Sequence, residues 1–397
     1  MIKKRIALIS FHTCPFLPPG SGKVGGMNVY INQLSKKLAR YGFRIDIFTR
    51  EHQGASCDAV TSEPFIRVSH LYGGNLDMPV YDLYPYLPEF INGIRSIGKH
   101  DRVKYDLVHS HYWLSGWAGQ ILAREWNVPH VVNFHTLGEV KRRAIHGEIE
   151  NERRYDVEGE LMRSAEMIIC SSEDERQDMM RLYGASKKNI EVIQPGVDLE
   201  LFKPVYDSSP YAHLVGNVPI VLYVGRIERL KGLEVLLHAV SLREIKHSCR
   251  LIIVGGYSND DEFIRIKRLC SKLGLSNDVI FCGRVNQSDL PYYYSAADVL
   301  VVPSYHETFG LVALEAMACE TPVIAARVGG LKTLIKHGQT GYLISSQCPD
   351  VYVEHMEVII LNTQLRHRMG KQSRLLAKTM GWSSVADKTI KVYDSLN

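Results

Sequence analysis

The sequence predicts an α/β protein made of two parallel-sheet halves. Three observations lead there. Short apolar runs alternate with helical patterns along nearly the whole chain, the alternation breaks once in a Pro- and Ser-containing stretch, and a second series of the same kind then begins. A chain of 397 residues is long enough for two such domains, each with its own core.

The first series opens with RIALIS (5–10) as a strand, followed by a Gly/Pro-rich loop that contains PPGSGKVGG. Val29, Ile31, Leu34 and Leu38 recur at helical spacing from Met27 to about Arg40, Gly42 ends the helix, and RIDIFT (44–49) is the next strand. Further strands are expected at 65–71, 107–111, 130–135, 167–172 and 190–195. The stretch from Asp77 to Pro88, rich in Tyr and Pro, reads as irregular, and the charged region 139–163 as a solvated helix face with i,i+4 ion pairs. Periodicity is lost between Asp198 and Gly216, the expected linker. The second series places strands at 219–226, 251–256, 279–284, 299–302 and 323–327, with helices after Gly232, near 260–273, near 288–295 and after Gly310. A last helix, about 383–395, lies beyond it. The expected domains are 1–204, 205–378 and a C-terminal segment 379–397.

Composition narrows the class. Apolar content of 45% with 23% charged residues is that of a soluble globular protein, and a formal charge of +4 gives nucleic-acid binding no support. The small basic excess is compatible with anionic substrates or transient contact with anionic lipid. Eight scattered Cys without a C-x-x-C pair suggest a reducing cytoplasm rather than a disulfide framework. The apolar run in MIKKRIALIS is too short for a signal peptide, and no stretch approaches the roughly 20 apolar residues of a membrane span.

Residues 299–315, VLVVPSYHETFGLVALE, form a strand–loop–helix unit with Glu307 on the loop and Glu315 inside the helix. Both carboxylates can face the crevice at the carboxyl end of a parallel sheet, where such sheets bind ligands, and accept hydrogen bonds from sugar or ribose hydroxyls. Backbone amides from Gly310 to Val312 would attract an anion such as a diphosphate. Standing alone, two glutamates eight apart are as a rule solvated charges. Arg226, at a strand end, and Lys231 place two cations at the same edge, able to neutralise a diphosphate. In the first half, Gly25 and Gly26 allow a diphosphate close to a helix start, although a loop that merely ends a strand fits as well. That loop lacks a G-x-G-x-x-G in register and the P-loop spacing, so a dinucleotide cofactor is disfavoured. His109 and His111 share one strand face, but no third ligand has fitting spacing and no D-x-D occurs, so no metal ligands are expected.

The run Glu307-Thr-Phe-Gly-Leu-Val-Ala-Leu-Glu315 and the VGR-x4-KG around Arg226 and Lys231 resemble the signatures of the retaining nucleotide-sugar glycosyltransferases of family 4. Their fold, GT-B, sets two Rossmann-like domains facing across a cleft, and their last helix crosses back to the first domain. The resemblance implies catalytic roles for His111, Arg226, Lys231 and Glu307. It implies donor contacts at His12, Gly25, Gly26, Arg226, Lys231, Arg284, Glu307, Phe309, Gly310, Leu311, Val312 and Glu315. The co-substrate would be a nucleoside diphosphate sugar, UDP-glucose or UDP-N-acetylglucosamine being favoured, with no cofactor and no metal.

GGMNVYI (25–31), HSHYWLSG, HTL-x2-VK and ARVGGL (326–331) are most similar to a branch of that family, the inositol-phosphate glycosyltransferases of the mycothiol pathway. Carried over, the likeness implies acceptor contacts at Asn28, Tyr112, His135, Thr136 and Arg154. Arg154 would meet a phosphate there; its plainer reading is a surface charge paired with Glu150 or Glu158. The branch also uses a lysine after the third strand, whereas GGNLDMPVYDLYPYL has no cation, and Lys23 replaces an acidic residue of the glycine loop. The acceptor therefore stays open between a sugar or inositol phosphate, a polysaccharide or lipid-linked glycan, and the acceptor of a sucrose-phosphate-synthase-like enzyme. A catalytically silent nucleotide- or sugar-binding subunit is the non-enzymatic alternative.

Overall fold

A computed structural model describes residues 3–17, 25–52, 58–60, 63–76, 78–144, 152–206, 218–242 and 249–396. Lys23 and most of its glycine loop, Asp77, Glu150 and the stretch 207–216 of the linker lie outside them. The chain divides into two units, Met1–Gln194 with Trp382–Asn397, and Pro195–Gly381.

The first unit begins with β1 (Arg5–Ser10), α1 (Gly26–Arg40), β2 (Arg44–Arg50), β3 (Asp58–Val60) and β4 (Ile66–Leu71). Then come α2 (Leu87–His100), β5 (Leu107–His111), α3 (Trp113–Trp126), β6 (His130–Asn133), α4 (Gly138–Ala144), α5 (Glu152–Ser164), β7 (Met167–Cys170), α6 (Glu173–Tyr183) and β8 (Ile190–Val192). The eight strands run in the order β3-β4-β2-β1-β5-β6-β7-β8, parallel except for β3. They are short and apolar because both faces are covered: Ala7, Ile9, Val108, Val132 and Ile168 lie in one continuous core with Trp113, Leu114 and Leu161 of the helices, and the alternating Ile6 and Leu8 are fully buried as well. The stretch before α2 is not shapeless. Two single 3₁₀ turns, Val80–Asp82 and Tyr84–Tyr86, use its prolines, and Tyr84 stacks on Trp113 at 5.9 Å.

The second unit contains β9 (Ile220–Val224), α7 (Leu233–Ser241), β10 (Arg250–Val254), α8 (Asp261–Lys272), β11 (Val279–Gly283), α9 (Leu290–Ala296) and β12 (Val299–Val302). It continues with α10 (Leu311–Ala318), β13 (Val323–Ala326), α11 (Leu331–Leu334), β14 (Gly341–Ile344), α12 (Pro349–Leu361) and α13 (Thr363–Ala377). Its six strands are all parallel, in the order β11-β10-β9-β12-β13-β14. Alternation along each strand feeds two cores: Val221, Tyr223, Leu251 and Val299 on one face, Ile220, Leu222, Ile252 and Leu300 on the other. Val197 and Phe202 belong to the second of these, and the Val197 amide donates to Met380 O at 2.8 Å.

The last helix, α14 (Trp382–Asp394), packs on α1 in the first unit. Its Tyr393 is fully buried, and its hydroxyl lies 2.6 Å from His109 Nδ1. In each sheet the strand order reverses beside the first strand, between β1 and β5 in one and between β9 and β12 in the other. Ligands bind at such reversals, beyond the carboxyl ends of the strands.

Candidate functional site

At the β9/β12 reversal of the second unit, Lys231 and Glu307 meet. Lys231 ends a 3₁₀ turn, Arg229–Lys231, and its Nζ donates to Glu307 Oε2 at 2.7 Å. The turn is tied to the β12 loop by the Tyr305 amide on Leu230 O, at 2.8 Å. Gly232, with φ of 66°, passes so close to that loop that a Cβ would sit 2.0 Å from Pro303 O. Arg226, two residues past β9, is exposed and pairs with Glu228 at 2.6 Å. Its carbonyl accepts from the buried Tyr223 hydroxyl at 2.9 Å, which fixes the backbone while the guanidinium stays at the surface.

Gly310 caps α10 with φ of 100°, and its carbonyl accepts the amides of Ala313 and Leu314. The amides of Leu311 and Val312 thus stand in the first turn, with no carbonyl of the same helix to bond, at the positive end of its dipole. Phe309 is buried under them. Two glycines downstream hold the Glu307 loop from behind. A Cβ at Gly329 would lie 1.9 Å from Glu307 O, one at Gly330 2.6 Å from Phe309 Cα, and the Gly330 amide donates to Thr308 O at 3.1 Å. Arg284 follows β11, two strands from β9; it is exposed, and its guanidinium comes within 3.5 Å of the Tyr257 hydroxyl.

Glu315 is buried and accepts from the Tyr294 hydroxyl at 2.9 Å. Burial raises its pKa to about 7, against hydrogen bonds from Tyr294 and Gln287 that lower it. The folded carboxyl is thus raised above its ordinary 4.5, so it adds stability at acid pH that is lost as pH rises towards 7. Glu315→Gln is therefore expected to flatten the fall of the thermal midpoint between about pH 5 and 8. A variant that keeps the wild-type slope would show that Glu315 titrates normally.

At the β1/β5 reversal of the first unit stands a cluster of imidazoles. His111 Nδ1 lies 2.9 Å from His135 Nε2, and the His109 and His111 rings are 4.4 Å apart. His109 is held on both sides, by Tyr393 and by Asn133 Oδ1 at 2.7 Å, whose amide nitrogen donates to Ile169 O. Burial pushes His109 down to about 4 and His135 to about 3, and lowers His111 as well, so all three are neutral at pH 7. His111, expected beside the reacting sugar, is fully buried, and its Nε2 has no hydrogen-bond partner among the described residues. The partly exposed side chains are those of His12, Tyr112, His135 and Thr136. Tyr112 and His135 take positive φ values of 77° and 61°, and the His12 and Tyr112 rings are 4.5 Å apart.

Asn28, expected to contact an acceptor, turns its amide inward. Oδ1 accepts from the Gly25 amide at 3.2 Å, and Nδ2 donates to Thr13 Oγ1 and Cys14 O at 3.0 and 2.8 Å. It shapes the start of α1, where Gly25 is half-buried and Gly26 exposed.

Arg154 is not the surface charge of the plainer reading. It is 2% exposed; Nε donates to Glu158 Oε1 at 2.7 Å, and Nη2 to Thr136 O and Oγ1 at 2.9 and 3.0 Å. The Tyr112 ring lies over its guanidinium at 5.0 Å. Glu158 also accepts from the Gly138 amide and the Tyr183 hydroxyl. In place of the missing lysine, the segment after β4 is gripped from below by Arg50, which donates to Asn75 O and Leu76 O at 3.2 and 3.0 Å.

Tyr294 had no assigned role in the sequence, and Gly232, Gly329 and Gly330 stood in the motifs without a stated part in holding the Glu307 loop. A group of possible metal ligands was missed outright: Cys14, His52 and His70 converge in the first unit, from positions with no local spacing to read.

Two family profiles match the chain: "Glycosyltransferase Family 4" over residues 24–201 and "Glycosyl transferases group 1" over residues 211–376. It is 39% identical to D-inositol 3-phosphate glycosyltransferase 2 of Catenulispora acidiphila, over 99% of this chain and 95% of that one. It is 36% identical to D-inositol 3-phosphate glycosyltransferase of Xylanimonas cellulosilytica, over 98% and 96%. Among solved structures, sucrose-phosphate synthase from Thermosynechococcus elongatus superposes with a TM-score of 0.92 at 35% identity, covering 99% of both chains.

Proposed function

We infer the reaction from one premise: the chain belongs to the family 4 glycosyltransferases of GT-B fold. The observation that carries the reading is the Lys231–Glu307 pair beside the open amides of Leu311 and Val312, at the reversal of the second sheet. A lysine, a surface guanidinium and a helix terminus together suit a leaving diphosphate. The donor is a nucleoside diphosphate sugar, taken as a UDP-sugar, carrying a hexose or N-acetylhexosamine. Glu307 accepts hydroxyls of the sugar, and Glu315, with Tyr294 behind it, those of the ribose.

We read the transfer as proceeding with retention on one face of the sugar, without a protein nucleophile. The bond from the anomeric carbon to the diphosphate breaks, the acceptor oxygen bonds to that carbon, and its proton goes to the leaving phosphate. The neutral, partly exposed imidazole of His135 at the first reversal suits hydrogen bonding to a sugar hydroxyl rather than charge compensation. Since Arg226, Lys231 and the α10 terminus supply the positive charge, transfer needs no hard divalent cation. Turnover is expected to be the same with and without added magnesium or manganese; dependence on either would overturn this mechanism.

The acceptor is a phosphorylated polyol or sugar, a reading supported by relatives named for inositol 3-phosphate and sucrose-phosphate, and by Arg154, Thr136 and Tyr112 standing together. The test is a hydrolysis screen across UDP-, GDP- and ADP-sugars, then paired acceptors with and without phosphate. Equal rates within each pair would reject a phosphate site and favour an extended glycan. Failure to hydrolyse any donor would favour a silent binding subunit.

A further inference from the structure

Three neighbouring strands of the first sheet end on potential metal ligands. Cys14 lies four residues after β1, His52 two after β2, and His70 is the penultimate residue of β4, so each ligand comes from the end of a different strand of the run β4-β2-β1. The strand ends are locked in register by the Arg50 amide on Phe11 O and the Glu51 amide on Leu71 O, both at 2.9 Å. One donor atom from each of the three side chains lies within 4.8 Å of the other two. Cys14 and His70 are buried, His52 is half-buried, and the two rings stand edge to face at 4.8 Å.

We propose that Cys14, His52 and His70 bind a zinc-class cation, one thiolate and two imidazoles filling three positions of a tetrahedron and the half-open His52 side leaving the fourth to water. Zinc–ligand bonds of about 2.0–2.3 Å bring tetrahedral donor atoms closer together than 4.8 Å, so the three side chains close on the metal when it binds. A thiolate with two imidazoles selects a borderline or soft metal over magnesium or calcium. Binding displaces the thiol proton to solvent, so affinity falls with acid.

The consequence is local. The Cys14 carbonyl holds the Asn28 amide that shapes the start of α1, so a metal on Sγ ties the loop after β1, and with it His12 and Thr13, to the ends of β2 and β4. This is a different place from the donor cluster of the second unit, and the transfer step does not pass through it.

Cobalt(II) is the probe, because its bond to a thiolate gives a near-ultraviolet charge-transfer band that imidazole or carboxylate sites lack. The intact protein, stripped with chelator and titrated with cobalt, should bind one equivalent with that band, and zinc should displace it. Cys14→Ser should abolish the band, and Cys348→Ser, at an exposed thiol, should leave it. His52→Asn, at a half-buried position that should not disturb folding, should weaken binding by more than the about 10–100-fold typical of an outer-shell partner. Circular dichroism establishes that each variant is folded. No stoichiometric cobalt binding, or a band that survives Cys14→Ser in the folded protein, would overturn the proposal.

Discussion

Lys231→Ala is expected to lower turnover by about 10²–10³-fold, the usual loss for one contact to charge that develops in the transition state. The Lys231 side chain is 23% exposed and that of Glu307 15%, so solvent screens the pair only in part, and removing the ammonium also costs some stability by stranding a mostly buried carboxylate. Gly232 and the backbone bond from Tyr305 to Leu230 hold the turn without the side chain, so its path should survive the substitution. Arg226 remains in the variant, but it is exposed and paired with Glu228, and such a guanidinium does not replace an ammonium held 2.7 Å from Glu307 Oε2. Lys231→Arg should recover part of the rate, since the charge returns with a different shape. Turnover at saturating donor, measured alongside the thermal midpoint, checks this. An unchanged rate in folded Lys231→Ala would remove the donor site from this edge of the sheet.

What could be read in advance was what is local. The apolar runs of β1, β9 and β12, the helix starting after Gly310 and the cations after β9 each express themselves within a few residues, and the structure has them close to where they were expected. What could not be read depends on distant pairing. That Tyr393 would reach His109, 284 residues away, is one such pairing. That Glu315 would be buried against Tyr294, or that Gly329 would press on Glu307 O, follows only from the order of the strands. Strand alternation put His109 and His111 on one face correctly, yet said nothing of depth: both are sealed beneath neighbours, and His135 reaches the surface instead. Helical spacing found the Arg154–Glu158 pair and missed that it is buried, because the polar partners that make burial tolerable come from Thr136, Gly138 and Tyr183.

That burial changes what Arg154 is expected to do. The Thr136 hydroxyl accepts from the guanidinium, so its own proton is turned away from Arg154; in the proposed acceptor site the half-exposed Thr136 and Tyr112 would present their hydroxyls, with Arg154 orienting Thr136 and supplying the charge. Arg154→Ala would leave Glu158 buried without its cation, a change that costs about 3–5 kcal/mol when a buried pair is broken, moderated here by the Gly138 and Tyr183 donors. Arg154→Lys is the better probe. It keeps a charge near Glu158 but cannot reach Thr136 and Glu158 together, because an ammonium has no planar fork. With a phosphorylated acceptor, KM should rise by roughly 10-fold or more, one charge-assisted contact being weakened, while donor hydrolysis is unaltered. Thr136→Val, which keeps the shape and removes the hydroxyl, should raise the same KM. The double variant should be no worse than the poorer single one, because both act through one hydrogen bond. A purely structural Arg154 would instead lower the folded fraction and scale both activities alike, leaving KM where it was. Additive effects of the two substitutions on KM would separate Thr136 from Arg154, and the phosphate would then have to be met elsewhere on the first sheet.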